Sequence, residues 1–277
     1  MHIVLEMKLK YFFTILYMAA LTGFMACSPY QKLLKSDDVA LKFQKAEEYY
    51  NKKDHQRVLP LLEDLLTYYR GTAQAEKIYY MMADTYYKMG NYQLASYQFK
   101  TFVDAYPFSQ YAEEALYLYA YSLFSDSPNK DLDQANTVNA INAFNLFINK
   151  YPESNRIEES NKNIDDLKAK LENKAIENAM LYYQIRNYKS AVWALRHVAN
   201  QYPASKEREK IEYYIVKSSY LLAEKSVETK KRERYLNTIQ YYNEFREHYP
   251  TSVYDADLLR MYKDANYQVD KLNFKRS

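Results

Sequence analysis

Apolar and polar positions along the chain recur in blocks, and each block ends on the same punctuation. A Tyr-Pro-x-Ser motif appears at Tyr106-Pro107-Phe108-Ser109, Tyr151-Pro152-Glu153-Ser154, Tyr202-Pro203-Ala204-Ser205 and Tyr249-Pro250-Thr251-Ser252, which by subtraction gives spacings of 45, 51 and 47 residues. A degenerate copy, Tyr69-Arg70-Gly71-Thr72, precedes the first by 37. Four residues before each Tyr stand Leu65, Phe102, Phe147, Val198 and Phe245; seven before, Leu62, Phe99, Phe144, Leu195 and Tyr242; eleven before, Val58, Ala95, Ala140, Ala191 and Thr238. Offsets of 4, 7 and 11 fall on one face of a 3.6-residue helix. Proline lacks the N–H and clashes with the turn before it, so it ends that helix. The Ser two places later is the expected N-cap of the next one. Each block is therefore helix, short turn, helix, stop, and a period of this size predicts a solenoid of helical pairs.

The second block shows what the pairs resemble. Tyr79, Met82, Ala83, Tyr86, Gly90, Tyr92, Ala95, Phe99 and Pro107 are similar to the tetratricopeptide pattern. Ala46, Tyr49, Val58 and Leu62 repeat it in the first block; Ala179, Tyr182, Tyr188, Ala191, Leu195 and Pro203 repeat it in the fourth. The resemblance implies an all-α fold, a right-handed solenoid of five tetratricopeptide-like pairs over residues 41–262. Longer connections interrupt the third pair (Ser125 to Asp131) and the fifth (Glu224 to Arg234), and the first helix of the fourth pair runs from Arg156 to about Arg186. Its charge-rich opening reads as a solvated face. Residues 27–40 read as a tether and 263–277 as a C-terminal tail.

Composition narrows the chemistry. The chain has 33 Tyr but only 3 Gly, too few glycines for phosphate loops, dinucleotide fingerprints or tight hairpins. With 38 basic and 35 acidic residues the net charge is +3, which leaves no electrostatic footprint for nucleic acid. His55, His197 and His248 show no metal-ligand spacing, and no Gly-x-Ser-x-Gly elbow occurs. The adjacent pairs Asp37-Asp38 and Asp165-Asp166 point to different helix faces and read as solvated charges. No enzyme, metal or cofactor is expected.

The uncharged run Tyr11 to Met25 is too short to span a membrane and follows Lys8 and Lys10, as in a signal peptide. A start at Met7 gives the cleaner leader. The run ends at Cys27, the only cysteine, so no internal disulfide can form. Cys27 is either an incidental thiol or a modified one; its position behind a small residue favours modification. Phe24-Met25-Ala26-Cys27 resembles a bacterial lipobox, with Phe in place of the usual Leu. That resemblance implies cleavage of residues 1–26 and acylation of Cys27. Ser28 and Pro29 after it, with no acidic residue, resemble lipoproteins sent to the outer membrane.

The tyrosine doublets place one ring inward and its neighbour outward. Most of the tyrosines are expected to be repeat core with a wet hydroxyl; the alternative is that several outward rings on the first helices line a concave peptide-contact face, for which Tyr50, Tyr80 and Tyr87 are the candidates. The basic cluster Lys225, Lys230, Lys231, Arg232 and Arg234 reads equally as a solvated loop or a docking patch. Lipobox, repeats and insertions together resemble the BamD family of outer-membrane assembly lipoproteins, the residues 127–135 and 224–254 most closely. The resemblance implies a non-catalytic scaffold, lipid-anchored to the outer membrane and facing the periplasm. Its partners would be BamA periplasmic domains and other subunits of the assembly complex, docked by the C-terminal repeats, and unfolded outer-membrane protein precursors, taken by the N-terminal repeats; Arg232 and Arg234 are docking candidates from the basic cluster alone, not from the resemblance. A periplasmic tetratricopeptide adaptor for envelope or peptidoglycan machinery and a glycan-binding surface lipoprotein are the other classes the residues leave open.

Overall fold

The structure, a computed structural model, describes residues 29–274; the expected leader and Cys27 lie outside the described residues. Among the described residues all twelve regular elements are helices. The described residues divide into two compact units, 29–126 with Asn149–Tyr151, and Ser127–Ile148 with 152–274. In the first unit, α1 (Pro29–Leu34) is followed by α2 (Val39–Asn51), α3 (His55–Tyr69), α4 (Ala73–Lys88), α5 (Tyr92–Ala105) and α6 (Ala112–Ser125). Successive helices from α2 to α6 pack on one another, and α1 lies on α3. The second unit contains most of α7 (Ala135–Lys150), then α8 (Ile157–Gln184), α9 (Tyr188–Gln201), α10 (Arg208–Glu224), α11 (Glu228–His248) and α12 (Asp255–Phe274). From α8 to α12 each helix packs on the next, and α10 also touches α8 and α12.

The periodic positions explain this packing. Every residue at the three offsets is buried: Leu65, Phe102, Phe147, Val198 and Phe245; Leu62, Phe99, Phe144, Leu195 and Tyr242; Val58, Ala95, Ala140, Ala191 and Thr238. The small residue of the last set lets a neighbouring helix approach closely. The Tyr before each Pro leaves the helix, with φ −129° at Tyr106, −123° at Tyr202 and −130° at Tyr249, as steric clash with the proline ring requires. Its N–H still donates to the carbonyl four residues back, at 2.8 Å for Tyr106 and Tyr249 and 2.9 Å for Tyr202.

The short turns inside pairs one, two and four share one design. Lys53, Gly90 and Arg186 adopt left-handed backbone, at φ 59°, 75° and 62°. The next residue, Asp54, Asn91 or Asn187, caps the following helix by accepting a backbone N–H. Only one of the three turns uses the residue for which this backbone carries no steric cost.

Three expectations change. The motif Ser is not the N-cap; Tyr111, Arg156 and Glu207 are. The Ser hydroxyl accepts the N–H two residues on (Tyr111 to Ser109 3.0 Å, Glu207 to Ser205 3.1 Å), and it donates to a Glu 33 residues earlier, Ser109 to Glu76 and Ser205 to Glu172. The expected tether, 27–40, packs on the fold over its described residues: Leu33 is buried, and the Tyr30 hydroxyl donates to the Arg57 carbonyl at 2.8 Å. The tail, 263–277, is not a tail as far as Phe274, because α12 buries Leu258, Met261, Ala265, Val269 and Leu272 against α10 and α11. A terminal repeat needs such a cover for its otherwise exposed apolar face.

The insertion in the third pair and the long α8 meet. Lys170 donates to Ser127 Oγ at 2.8 Å and to the Pro128 carbonyl at 3.2 Å; Lys174 donates to the Leu132 carbonyl, and Lys130 pairs with Glu177. Gln134, buried, closes the loop from within by donating to the Asn129 and Leu132 carbonyls. Glu158, Glu159, Lys162, Asp165, Asp166 and Lys168 are solvated as expected, but Lys170 is not.

Candidate functional site

Helices α2 and α4 are first helices of adjacent pairs, and their neighbouring faces form a groove. Glu47, Tyr50 and Asn51 from α2, Lys77, Tyr80 and Met81 from α4, and Tyr111 from the turn before α6 line about 220 Å³. Tyr80 stacks on Tyr111 with ring centroids 4.6 Å apart and 17° between planes, and its ring also meets Phe99 and Phe102. The wall is thus set by the fully buried helix face of α5.

A charged cluster fixes the other wall. Tyr50 donates its hydroxyl to Asp84, which is buried, and Lys88 pairs with the same carboxylate at 2.5 Å while its ammonium sits 4.8 Å from the Tyr50 ring centre. Burial, and then the bond to Asp84, raises the Tyr50 pKa, so the phenol remains a donor. At the opposite rim Lys77 pairs with Glu47, and the bond raises the lysine pKa. The groove therefore presents flat aromatic faces, hydroxyls and a mixed-charge rim. Such a surface suits an extended peptide read without a strict sequence code, since rings and hydroxyls serve many side chains and carbonyls.

Two of the three tyrosine candidates, Tyr50 and Tyr80, come together here. Tyr87 does not; its ring packs edge-on against Tyr92 and Tyr121. Tyr111 and Lys77 escaped the doublet argument. Repeat register holds a signal for Tyr111: it follows the motif Ser by two residues, as Tyr254 does, and Tyr254 stacks on Tyr213 at 4.3 Å and 18°. Asp84, hidden inside a helix face, left no sequence signal.

The basic candidates have internal tasks. Arg232 Nε donates to Asn273 at 2.7 Å, which holds the end of α12, and Arg234 donates to Ser226, which fastens the turn before α11. A different basic position is more exposed, although it also has an internal partner, donating to the Tyr241 hydroxyl at 2.9 Å. A cleft of about 160 Å³ lies between α9, α10 and α11, and Arg196 stands on its rim with its guanidinium 4.9 Å from the Tyr241 ring centre. At the cleft floor the buried Glu212 accepts from Arg208 at 2.8 Å and meets His248 at 2.8 Å.

Among the described residues no group of three or more His, Cys, Asp or Glu side chains is placed to hold a metal ion, and no helix is long and apolar enough to cross a membrane. No curated protein matches the chain. Among solved structures, the TPR domain of P58(IPK) matches at 14% identity and a TM-score of 0.40, over 87% of this chain and 68% of that one. That likeness is too slight to carry an argument, and the helix pairs themselves establish the fold. A family described as outer membrane lipoprotein, YfiO, matches residues 36–233. The match spans well over half of the sequence, and the chain belongs to the YfiO family of outer membrane lipoproteins.

Proposed function

We propose that the protein is a non-catalytic scaffold of outer-membrane β-barrel assembly. Its N-terminal pairs take unfolded precursor segments in the Tyr50–Tyr80–Tyr111 groove, and its C-terminal pairs dock periplasmic domains of BamA. The observation that carries the first half is the groove itself: stacked rings, a buried Asp84–Tyr50 bond and a mixed-charge rim between two first helices. A transmembrane β-strand alternates apolar and polar residues and ends in aromatic girdles. Ring faces match the first kind of side chain, and hydroxyls match the polar ones and the free backbone. Family membership supports the setting, an outer-membrane lipoprotein. The second half follows the resemblance to BamD, and the cleft around Arg196 offers it a cationic anchor with a preset guanidinium plane.

Photo-crosslinking tests both halves. A photoreactive residue at position 51, exposed on the groove's edge, is expected to capture unfolded barrel precursors, and Tyr80→Ala with Tyr111→Ala in the same background is expected to remove most of that capture while BamA still co-purifies. Arg196→Glu is expected to weaken BamA co-purification and leave the capture intact. If each variant loses both activities at unchanged helicity and melting temperature, the two-ended reading fails.

A further inference from the structure

The turns within pairs four and five lie side by side, since Lys225 of the second reaches 5.1 Å from the Tyr188 ring centre of the first. Large apolar side chains stand in solvent around them: Leu181 is 52% exposed, Ile185 61%, Val227 68% and Trp193 71%. Such side chains contribute nothing to the core there, and their clustering at one edge asks for a partner.

Charge says which kind. Residues 178–189 and 224–232 hold six Lys or Arg (Arg186, Lys189, Lys225, Lys230, Lys231, Arg232) against two Glu, and no acidic residue occurs between Glu177 and Glu207. Arg186 occupies left-handed backbone at φ 62°, where the equivalent residue of pair two is Gly90. The backbone there disfavours any side chain, yet a cation is held at the apex.

Depth fits as well. Leu181 lies three residues before the end of α8, and Trp193 five residues after the start of α9. At 1.5 Å per residue both stand within about 8 Å of the turn, the depth to which interfacial elements enter a bilayer. Tryptophan is the residue enriched at the headgroup level.

We propose that this edge dips into an anionic lipid surface, with Ile185 and Val227 entering the acyl boundary, Trp193 at the headgroups, and Arg186, Lys189 and Lys225 on the phosphates. The inference is independent of the proposed assembly role and needs only the membrane to which a lipoprotein is held. An acidic protein surface is the rival occupant.

Trp193 is the only tryptophan, so its emission reports the edge alone. Full-length protein is reconstituted into phosphatidylcholine vesicles with and without phosphatidylglycerol, with brominated acyl chains as quencher. Emission is expected to shift to the blue and to be quenched by bromine only when the anionic lipid is present. Arg186→Glu with Lys189→Glu is expected to abolish the quenching, at about fivefold in surface affinity per cation removed. Ile185→Asp with Val227→Asp, all exposed changes, should do the same with unchanged far-UV circular dichroism. Equal acrylamide access to Trp193 in both lipids and in both variants would overturn the proposal. So would protection of Trp193 only after a partner protein is added, which would make the edge a protein interface.

Discussion

Phe102 and Phe108 are the same residue six positions apart, and the structure places them at opposite extremes. Phe102 is 0% exposed and Phe108 100%. Replacing Phe102 by Ala removes a full aromatic side chain from between α5 and its neighbours, for which large-to-small changes cost about 3–5 kcal/mol. Part of that is specific ring geometry. Phe102 has Tyr80 at 5.9 Å and Tyr106 at 5.4 Å, and such pairs are worth about 0.5–1.5 kcal/mol each beyond area burial. Phe102→Leu keeps most of the volume and loses the ring pairs, so about 1–3 kcal/mol is expected. Phe108→Ala should stay within about 0.5 kcal/mol of wild type, as exposed substitutions do. Urea unfolding followed by far-UV circular dichroism ranks the three, provided the slopes agree. Because Phe102 backs Tyr80, Phe102→Ala should also weaken precursor crosslinking, whereas Phe108→Ala should not. A loss below about 0.5 kcal/mol for Phe102→Ala, or a ranking that puts Phe108 first, would refute the packing register on which the groove rests.

Alkaline stability gives a second test. Burial and a 2.8 Å bond to Glu63 raise the Tyr86 pKa from 10.0 to about 12. A raised folded value means the native state holds its proton longer, so this contribution is complete below about pH 10 and is lost as the pH climbs through 12, and solvent screening at this partly exposed site keeps it small. Urea midpoints at rising pH should therefore fall less steeply for Tyr86→Phe than for wild type, and identical slopes would contradict the assignment. A third test concerns the leader. The mature chain is expected to begin at an acylated Cys27, and intact mass shows it; a Cys27→Ser variant that is still processed and membrane-bound would remove the basis for the anchor.

Second helices were legible in the sequence because two independent signals coincide there: a 3.6-residue apolar face and a proline that ends it. Helix α1 and the C-terminal half of α12 were not. Neither is closed by the motif, and α12 buries its stripe of Leu258, Met261, Ala265, Val269 and Leu272 only because the last pair leaves a face to cover. The turns were half legible, since Gly90 announces left-handed backbone while Lys53 and Arg186 adopt it without notice. In the groove, Tyr50 and Tyr80 follow from helical phase, but what they touch does not. Asp84 is 34 residues from Tyr50, and pairing across repeats depends on how two helices are set against each other rather than on the pattern along either one. A separation of 41 residues hid the partner of Arg232 in the same way, where a cationic run suggested an outward patch and the fold used two of its members, Arg232 and Arg234, as internal ties.

The loop after α6 and the extra turns at the start of α8 are two separate departures from repeat length. The lysines that hold the loop lie beyond those turns, in the sixteen residues of α8 that match the length of α4. Lys170 and Lys174 of α8 supply donors to the Pro128 and Leu132 carbonyls, groups that a loop of this length would otherwise leave to water. Removing the turns before residue 169 would leave these ties in place, whereas deleting the loop would leave Lys170, Lys174 and Glu177 without these partners. The loop therefore belongs with the repeat that follows it: grafting it onto another helical repeat would require carrying residues 170–177 of the following helix with it.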